Sequence, residues 1–150
     1  MKDLTKRPFR ILGVQQIAIG AVKKESLENF FINLLGIEKT GTFESQSENV
    51  RESICNIEGI EIDLMEPICE HSKPSPHKPG LNHIGLWVDN IEAAFEWLEA
   101  QGVRMAPGGI RAGASGHRVF FTHPKGSESK PIGSHILLEF VEHPSGSRKV

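Results

Sequence analysis

The sequence NHIGLWV at residues 82–88, followed by DNIEAAFEWLEAQG at residues 89–102, decides the fold of this chain. Apolar residues alternate with polar or small ones along 82–88, which is the period of a β-strand with one buried face. From Ile91 onward the apolar residues recur at helical spacing, with Asn90 placed to cap the helix and Gly102 to end it. The stretch therefore predicts a strand that leads directly into an amphipathic helix, whose apolar stripe is Ile91, Ala94, Phe95 and Leu98.

The first half of the chain repeats this pattern. Residues 15–21 (QQIAIGA) alternate as a strand, and a helical stripe follows before Gly36, with Ser26 or the residues before it as the cap. Each helix precedes three short strand-like runs. In the first half these runs are 39–43, 51–57 and 60–65, with a tight turn at Glu58-Gly59 between the last two. In the second half they are 104–105, 117–122 and 135–141. The first apolar stripe consists of Leu27, Phe30, Phe31, Leu34 and Leu35.

Two copies of a βαβββ module predict an α+β fold. The modules span 11–67 and 81–142, a Pro-rich linker spans 68–80, and residues 1–10 and 143–150 are expected to be flexible termini. Each sheet buries one face under its helix. The other face is called the open face below. The two modules together are expected to form a curved mixed β-sheet around a metal-binding cleft, which the open face lines.

Composition excludes several classes of function. The chain has 150 residues, 38% of them hydrophobic and 24% charged, with a formal net charge of -2. This balance favours neither nucleic acid nor a membrane as the main partner. Its two cysteines, Cys55 and Cys69, are too few for a disulfide framework, and no apolar run approaches a membrane span. A cytoplasmic location is expected.

Strand periodicity predicts which polar side chains lie on the open face. In four strands the alternating apolar residues identify the face that the helix covers. On the opposite face, each of these strands carries one side chain that is a strong metal ligand. The small residues Ala18, Gly20 and Gly85 beside them leave room for a ligand. Three oxygens and one imidazole suit one divalent ion such as Co, Mn, Ni, Zn or Mg. The predicted ligands are Gln16, Asp63, His83 and Glu139.

The order of several motifs resembles the vicinal-oxygen-chelate superfamily, which includes glyoxalases, bleomycin resistance proteins and dioxygenases. Within it the chain is most similar to methylmalonyl-CoA epimerases, above all in the GASG loop at 113–116 and the later FFTHPK segment at 120–125. The resemblance covers about Ile11 to Glu142. It places the family's metal ligands on the same four residues, with Gln16 where the family has His and Asp63 where it has Glu or Gln. The other matching segments are 14–21, 34–36, 63–67, 82–85 and 137–140.

The resemblance implies a metal-dependent isomerase or lyase that removes a proton next to a carbonyl. The substrate is then a small molecule, either an acyl-CoA or a glutathione thiohemiacetal, and the protein is expected to be a homodimer. Glu139 is implied as a catalytic carboxylate, and Glu48 as the second one, because it lies near the family's proton-transfer glutamate. Substrate contacts are predicted at Trp87 and His135, by strand periodicity, and at Arg118, by charge.

Three alternative functions stay open at this stage. Glyoxalase I (lactoylglutathione lyase) is the nearest alternative activity. A non-enzymatic small-molecule-binding member, of the antibiotic-resistance type, is favoured by Gln16 in place of His but disfavoured by the low aromatic content of 7%. A ring-cleaving dioxygenase ranks last, because its iron needs two His and one carboxylate, and Gln16 breaks that set.

Overall fold

The computed structural model describes residues 6–114 and 116–145, which form two successive βαβββ series. This confirms the predicted α+β class and the internal repeat. No helix in these two ranges is long and apolar enough to cross a membrane. In chain order the elements are β1 (Ile11–Gly20), α1 (Lys24–Glu28) with a π-helical continuation (Asn29–Leu34), β2 (Glu38–Ser45), β3 (Val50–Ile57), β4 (Ile60–Pro67), β5 (Leu81–Val88), α2 (Ile91–Ala100), β6 (Arg111–Ala112), β7 (Arg118–Thr122) and β8 (Leu137–Glu142).

The chain divides into two compact units. The first unit is Gln15–Ile84, and the second comprises the described residues of Met1–Val14 and Gly85–Val150. In the first unit the strand order is β2-β3-β4-β1, with β1 parallel to β4 and the other pairs antiparallel, so this sheet is mixed. In the second unit, which includes β5 from Gly85 onward, the order is β5-β8-β7-β6, and β7 is antiparallel to both of its neighbours.

The first helix differs from the predicted one. From Asn29 the chain is π-helical, and the backbone N–H of Leu35 donates to the Phe30 carbonyl five residues earlier. The wider turn rotates the apolar stripe, because each π-turn holds more residues than an α-turn. Leu27, Phe31 and Ile32 pack against the buried cluster of the sheet, which consists of Cys55, Ile62 and Leu64, and Ile17, Ile19 and Ile37 pack against the same cluster. Three residues of the predicted stripe, Phe30, Leu34 and Leu35, are exposed instead.

The Glu28 side chain connects α1 to the sheet through a hydrogen bond and ion pairs. The Ser53 hydroxyl donates a short hydrogen bond to Glu28 Oε1, and the ammonium groups of Lys39 and Lys24 lie 3.2 and 3.7 Å from the same oxygen. The Ser53 hydrogen bond is the main reason that the pKa of Glu28 is lowered, and the two lysines add to it against the effect of partial burial. Ser26 is not the cap, because its hydroxyl donates to the Lys23 carbonyl from inside the first turn.

The turn between β3 and β4 matches its prediction. Glu58 has φ +47° and Gly59 has φ +87°, which is the left-handed pair that a two-residue hairpin turn requires. The Asn56 side-chain oxygen accepts a hydrogen bond from the Gly59 N–H at 3.0 Å. This turn sets the register that pairs Cys55 with Ile62 under the helix.

The second helix is the one that the sequence predicts. Asn90 caps it by accepting a hydrogen bond from the Ala93 N–H at 3.0 Å, and Gly102 follows its end with φ +93°. The predicted stripe packs into a core in which Phe120 and Phe140 stack at 4.7 Å between ring centroids. The Phe120 side chain is fully buried, so this aromatic stack is central to the core of the second unit.

The described part of the N-terminus is packed rather than flexible. Phe9 is buried and meets Trp97 edge-on at 5.9 Å, and the Arg10 guanidinium pairs with Asp89 at 3.0 Å. The prediction of a flexible end is therefore wrong for Phe9 and Arg10, because the core needs the aromatic ring. At the other end the N–H of His143 donates to the Val88 carbonyl. Residues 1–5 and 146–150 of the predicted termini lie outside the described residues.

Two strand assignments in the second module are wrong. The sixth strand is Arg111–Ala112, and at the predicted position only Met105 forms an isolated bridge, with Thr122. The proline and two glycines at 107–109 end that run before a ladder can form. The last strand begins at Leu137, whereas His135 lies before it with φ +68°, which no strand residue adopts.

Candidate functional site

A direct contact between Gln16 and His83 is the centre of the candidate site. The Gln16 Nε2 atom lies 2.6 Å from His83 Nε2, and His83 Nδ1 lies 2.9 Å from the side-chain oxygen of Asn82. Because that oxygen can only accept, His83 carries its proton on Nδ1 and turns the Nε2 lone pair toward Gln16. A half-turn of the Gln16 amide would bring Oε1 to this position, which two acceptor atoms can share only if a cation lies between them.

The donor chemistry of this pair is suited to a divalent ion. A metal-binding histidine commonly donates its other ring N–H to an oxygen that fixes the tautomer and the ring orientation, and the Asn82 oxygen makes a contact of this kind with His83. Within 6–114 and 116–145, no group of three or more His, Cys, Asp or Glu side chains is arranged to hold a metal ion. The Gln16–His83 pair therefore supports part of the predicted ligand set, and the full set stays a prediction.

Asp63 lies on the open face of the first unit, as strand periodicity predicts. It is the Cα partner of Ala18 on β1 and of Ile54 on β3, while Ile62 and Leu64 beside it pack under the helix. The side chain is 4% exposed. Paired residues share a face, so Asp63 lies on the same face as Gln16, one strand repeat further along.

Gly20 has a different role from the predicted one. A Cβ at this position would lie 1.9 Å from the carbonyl oxygen of Pro76, and the Gly20 N–H donates to the Gly80 carbonyl at 2.7 Å. The space beside Gly20 is therefore filled by the segment 68–80 and is not left for a ligand. This segment is also held by Asn49, whose side chain bonds to the backbone of Cys69. The predicted linker is a packed part of the first unit.

Glu139 lies on the open face of the second unit. Its Cα partner on β7 is Phe121, while the next pair along, Phe120 and Phe140, lies in the core under α2. The Glu139 residue is 7% exposed, so the polar side chain is held in a largely buried position. The alternation predicted for this strand is therefore right from Leu137 onward.

The two catalytic carboxylates predicted from the sequence have different surroundings. Glu48 is exposed in the turn between β2 and β3, where its N–H donates to the Ser45 hydroxyl at 3.2 Å. A third carboxylate, Glu52, was not predicted from the sequence; it is 9% exposed on β3 and is the Cα partner of Met65. This register puts Glu52 on the same face as Asp63. The sequence does contain a sign of this position: on the strand face that carries Val50 and Ile54, the residue between them is the acidic Glu52.

The three predicted substrate contacts lie in unlike places. The Trp87 ring lies between the rings of His117 and His143, at 5.2 and 5.1 Å between centroids. His135 is exposed in the loop before β8 and does not share the strand of Glu139.

Arg118 is neutralised by two carboxylates. Its guanidinium forms short ion pairs with Glu142 and Glu92. The hydrogen bonds to Glu142 and Glu92 raise the pKa of Arg118, and the Arg118 bond lowers the pKa of Glu92. Arg118 is the Cα partner of Ala112 and lies two residues from the core residue Phe120, which puts it on the helix-covered face. Glu139 lies on the other face, so this position disfavours the predicted role of Arg118.

The family of the chain follows from this fold and from sequence comparison. A family model for the Glyoxalase/Bleomycin resistance protein/Dioxygenase superfamily matches residues 15–121, and the chain belongs to this superfamily. Among curated relatives, the mitochondrial methylmalonyl-CoA epimerase of Homo sapiens is 26% identical over 130 residues, covering 83% of this chain and 74% of the relative. That of Dictyostelium discoideum is 27% identical over 135 residues, covering 86% and 77%.

Solved structures agree with this fold. A variant of Streptomyces coelicolor methylmalonyl-CoA epimerase in complex with 2-nitronate-propionyl-CoA has a TM-score of 0.74 at 23% identity. The match covers 91% of this chain and 97% of that structure. At this identity the likeness concerns the fold, and the predicted membership of the vicinal-oxygen-chelate group is confirmed.

Proposed function

We propose that this chain is an epimerase of methylmalonyl-CoA or of a closely related acyl-CoA, which acts by removing and returning the proton next to the thioester carbonyl. The observation that carries the proposal is the contact between Gln16 and His83, with the imidazole oriented by Asn82. The relatives named above support the choice of substrate class. A location in the cytoplasm and a homodimeric state stay predictions.

The proposed cofactor is one divalent ion, of the Co, Mn, Ni, Zn or Mg type. Such an ion supplies a Lewis acid that stabilises the negative oxygen formed when a proton leaves the carbon next to a carbonyl. Gln16 and His83 are the residues whose contact supports this site, and Asp63 and Glu139 complete the ligand set predicted from the sequence. Asn82 keeps the His83 proton on Nδ1, so that the Nε2 lone pair, which faces Gln16, would be the atom that holds the ion.

Epimerisation needs two proton-transfer groups, because the proton leaves one face of the carbon and returns to the other. We propose Glu139 as one of them, because it is a carboxylate in a largely buried position on the open face of the second unit. Glu48 stays the proposed second group on the strength of the resemblance. Glu52, which is buried on the same strand face as Asp63, is the first alternative to Glu48.

The test is the interconversion of the two methylmalonyl-CoA epimers. The purified protein is incubated with one epimer and a divalent salt. The amount of each epimer is then measured at intervals with a coupled stereospecific assay. We expect a 1:1 mixture to form with the wild type and a loss of at least about 100-fold in rate with His83→Ala. Retention of the starting epimer, together with turnover of a glutathione thiohemiacetal, would replace the epimerase with a glyoxalase I activity.

A further inference from the structure

We propose that the segment 68–80, anchored by Asn49 and Gly20, sets the tautomer of His83 at the candidate metal site. Asn49 and Gly20 are then positioning residues, which act on His83 through a short chain of hydrogen bonds. The inference rests on the proposed function for the use of His83 as a ligand. The contacts that carry it are independent of the reaction, and all of them lie within the first unit.

The Pro76 carbonyl decides which way the Asn82 amide faces. Asn82 Nδ2 donates to this carbonyl at 3.2 Å, and Asn82 Oδ1 lies 2.9 Å from His83 Nδ1. Because a carbonyl can only accept, it selects the NH₂ end of the Asn82 side chain and turns the oxygen end toward His83. The imidazole must then carry its proton on Nδ1. A reversed amide would present its NH₂ group to Nδ1 and would favour the proton on Nε2.

The tautomer matters on the other side of the ring. His83 Nε2 lies 2.6 Å from Gln16 Nε2, and only an unprotonated Nε2 can accept from that amide or hold an ion. A neutral imidazole exchanges between its two tautomers unless its surroundings select one. If His83 were in the wrong form for half of the time, its apparent affinity for an ion would fall by about 2-fold.

Asn49 anchors the part of the segment that precedes Pro76. Its Nδ2 donates to the carbonyls of Cys69, Ser72 and Pro74 at 2.9, 3.2 and 3.0 Å, and its Oδ1 accepts from the Cys69 N–H at 2.8 Å. The residue is only 5% exposed. A buried amide that uses both of its ends on one stretch of backbone fixes the path of that stretch, because each lost contact would leave a buried polar group without a partner.

Gly20 limits the same carbonyl from the side of β1. A Cβ at this position would lie 1.9 Å from the Pro76 oxygen and 2.7 Å from its carbonyl carbon. Any side chain at residue 20 would therefore displace the atom that accepts from Asn82. The Gly20 N–H also donates to the Gly80 carbonyl at 2.7 Å, which holds the end of the segment. The Pro76 carbonyl is thus placed by contacts before it, after it and beside it.

The test reads the His83 tautomer in metal-free protein by long-range ¹H–¹⁵N NMR correlation, which distinguishes a protonated from an unprotonated ring nitrogen. A pH of about 8.5 keeps the imidazoles neutral, and His83→Gln identifies the signal. We expect one Nδ1–H form in the wild type and a mixture of both forms in Asn49→Gly and in Gly20→Ala. Affinity for Co²⁺ should fall by about 2- to 10-fold in each variant. Glycine is chosen at residue 49 because Asn49 has φ +51°, which glycine adopts without strain.

Two control variants separate positioning from general loosening of the unit. Gly80→Ala is the match for Gly20→Ala, because a Cβ there would meet the Gly20 oxygen at 3.8 Å, an ordinary contact. Asn56→Gly is the match for Asn49→Gly, because Asn56 also holds a loop, by accepting from the Gly59 N–H. Both controls should keep the single Nδ1–H form.

An unchanged tautomer in Asn49→Gly or in Gly20→Ala, with urea unfolding showing that the variant is folded, would remove that residue from the positioning role. An unchanged tautomer in both would overturn the inference, as would an equal change in the controls. The NMR readout needs neither metal nor substrate. A wild type that epimerises no substrate would therefore refute only the proposed function, and an active enzyme whose tautomer ignores both substitutions would refute only this inference.

Discussion

Replacement of Asn82 by alanine tests whether His83 is oriented as a metal ligand. Asn82 accepts from His83 Nδ1 at 2.9 Å, and its own amide donates to the Pro76 carbonyl at 3.2 Å. The Asn82→Ala variant removes the group that fixes the tautomer and the ring plane. Loss of such an orienting partner typically lowers metal affinity by about 10- to 100-fold, which equals roughly 1.4 to 2.7 kcal/mol.

The same substitution also has a cost in stability. The Pro76 carbonyl and the His83 ring each lose one hydrogen bond, and a net loss of about 1 kcal/mol for each is typical of neutral groups. We therefore expect the free energy of unfolding to fall by about 2 kcal/mol. This is a moderate change, and the variant should fold well enough for its metal affinity to be measured.

The assay is competition for Co²⁺ against a chromophoric chelator, with the free energy of unfolding measured in urea on the same preparations. Asn82→Asp is the matched control, because a carboxylate still accepts from Nδ1 and should keep the affinity within a few-fold of the wild type. If Asn82→Ala binds Co²⁺ as tightly as the wild type does, the assignment of His83 as an oriented ligand is refuted.

Three further predictions concern the core, a helix anchor and the carboxylates. Phe120→Ala should lower the free energy of unfolding by about 3–5 kcal/mol in urea titrations, whereas Leu34→Ala, at a site 69% exposed, should change it by no more than about 0.5 kcal/mol; equal effects would contradict the described core. Because the pKa of Glu28 is lowered in the folded state, its stabilising effect exists above the ordinary value of 4.5 and is lost as the pH falls through the folded value. Glu28→Gln should therefore be less stable than the wild type at pH 7 and similar to it in acid, and a gap that widens in acid would exclude this role. Glu139→Gln and Glu48→Gln should each lower kcat by about 10²- to 10⁴-fold if both transfer protons, so a normal kcat in either variant removes that residue from the mechanism.

The sequence was most informative where a regular period ran without interruption. The helix from Ile91 and the turn at Glu58-Gly59 follow from local residues alone, since a cap, an apolar stripe and a left-handed pair act over a few positions. Strand alternation also placed Asp63 and Glu139 on the faces that they occupy. These features needed no information about distant parts of the chain.

Prediction failed where distant contacts override local preference. The first helix turns π-helical at Asn29, and nothing in its apolar spacing distinguishes that turn from an α-turn. Gly20 leaves room for the Pro76 backbone, a contact more than fifty residues along the chain. The predicted last strand began two residues too early, at His135, whereas β8 begins at Leu137. His135 has a positive φ that is incompatible with a strand, and its residue type does not indicate this conformation.

The role of buried acids was also underestimated from sequence. In the sequence, Glu52 resembles an ordinary polar residue on the exposed face of a strand. In the structure it is the Cα partner of Met65 and is only 9% exposed. Likewise Arg111 and Arg118 are equivalent as charges in the sequence, and only the pairing of β6 with β7 puts them on opposite faces.

The most direct test of the account is proton exchange at the carbon between the two carbonyl groups of methylmalonyl-CoA. Metal-stripped protein is placed in heavy water with this thioester, and NMR follows the loss of the carbon-bound proton before and after addition of Co²⁺. We predict rapid incorporation of deuterium only after the ion is restored. An unchanged proton signal in both samples would contradict proton abstraction, and equal exchange without the ion would contradict its metal dependence.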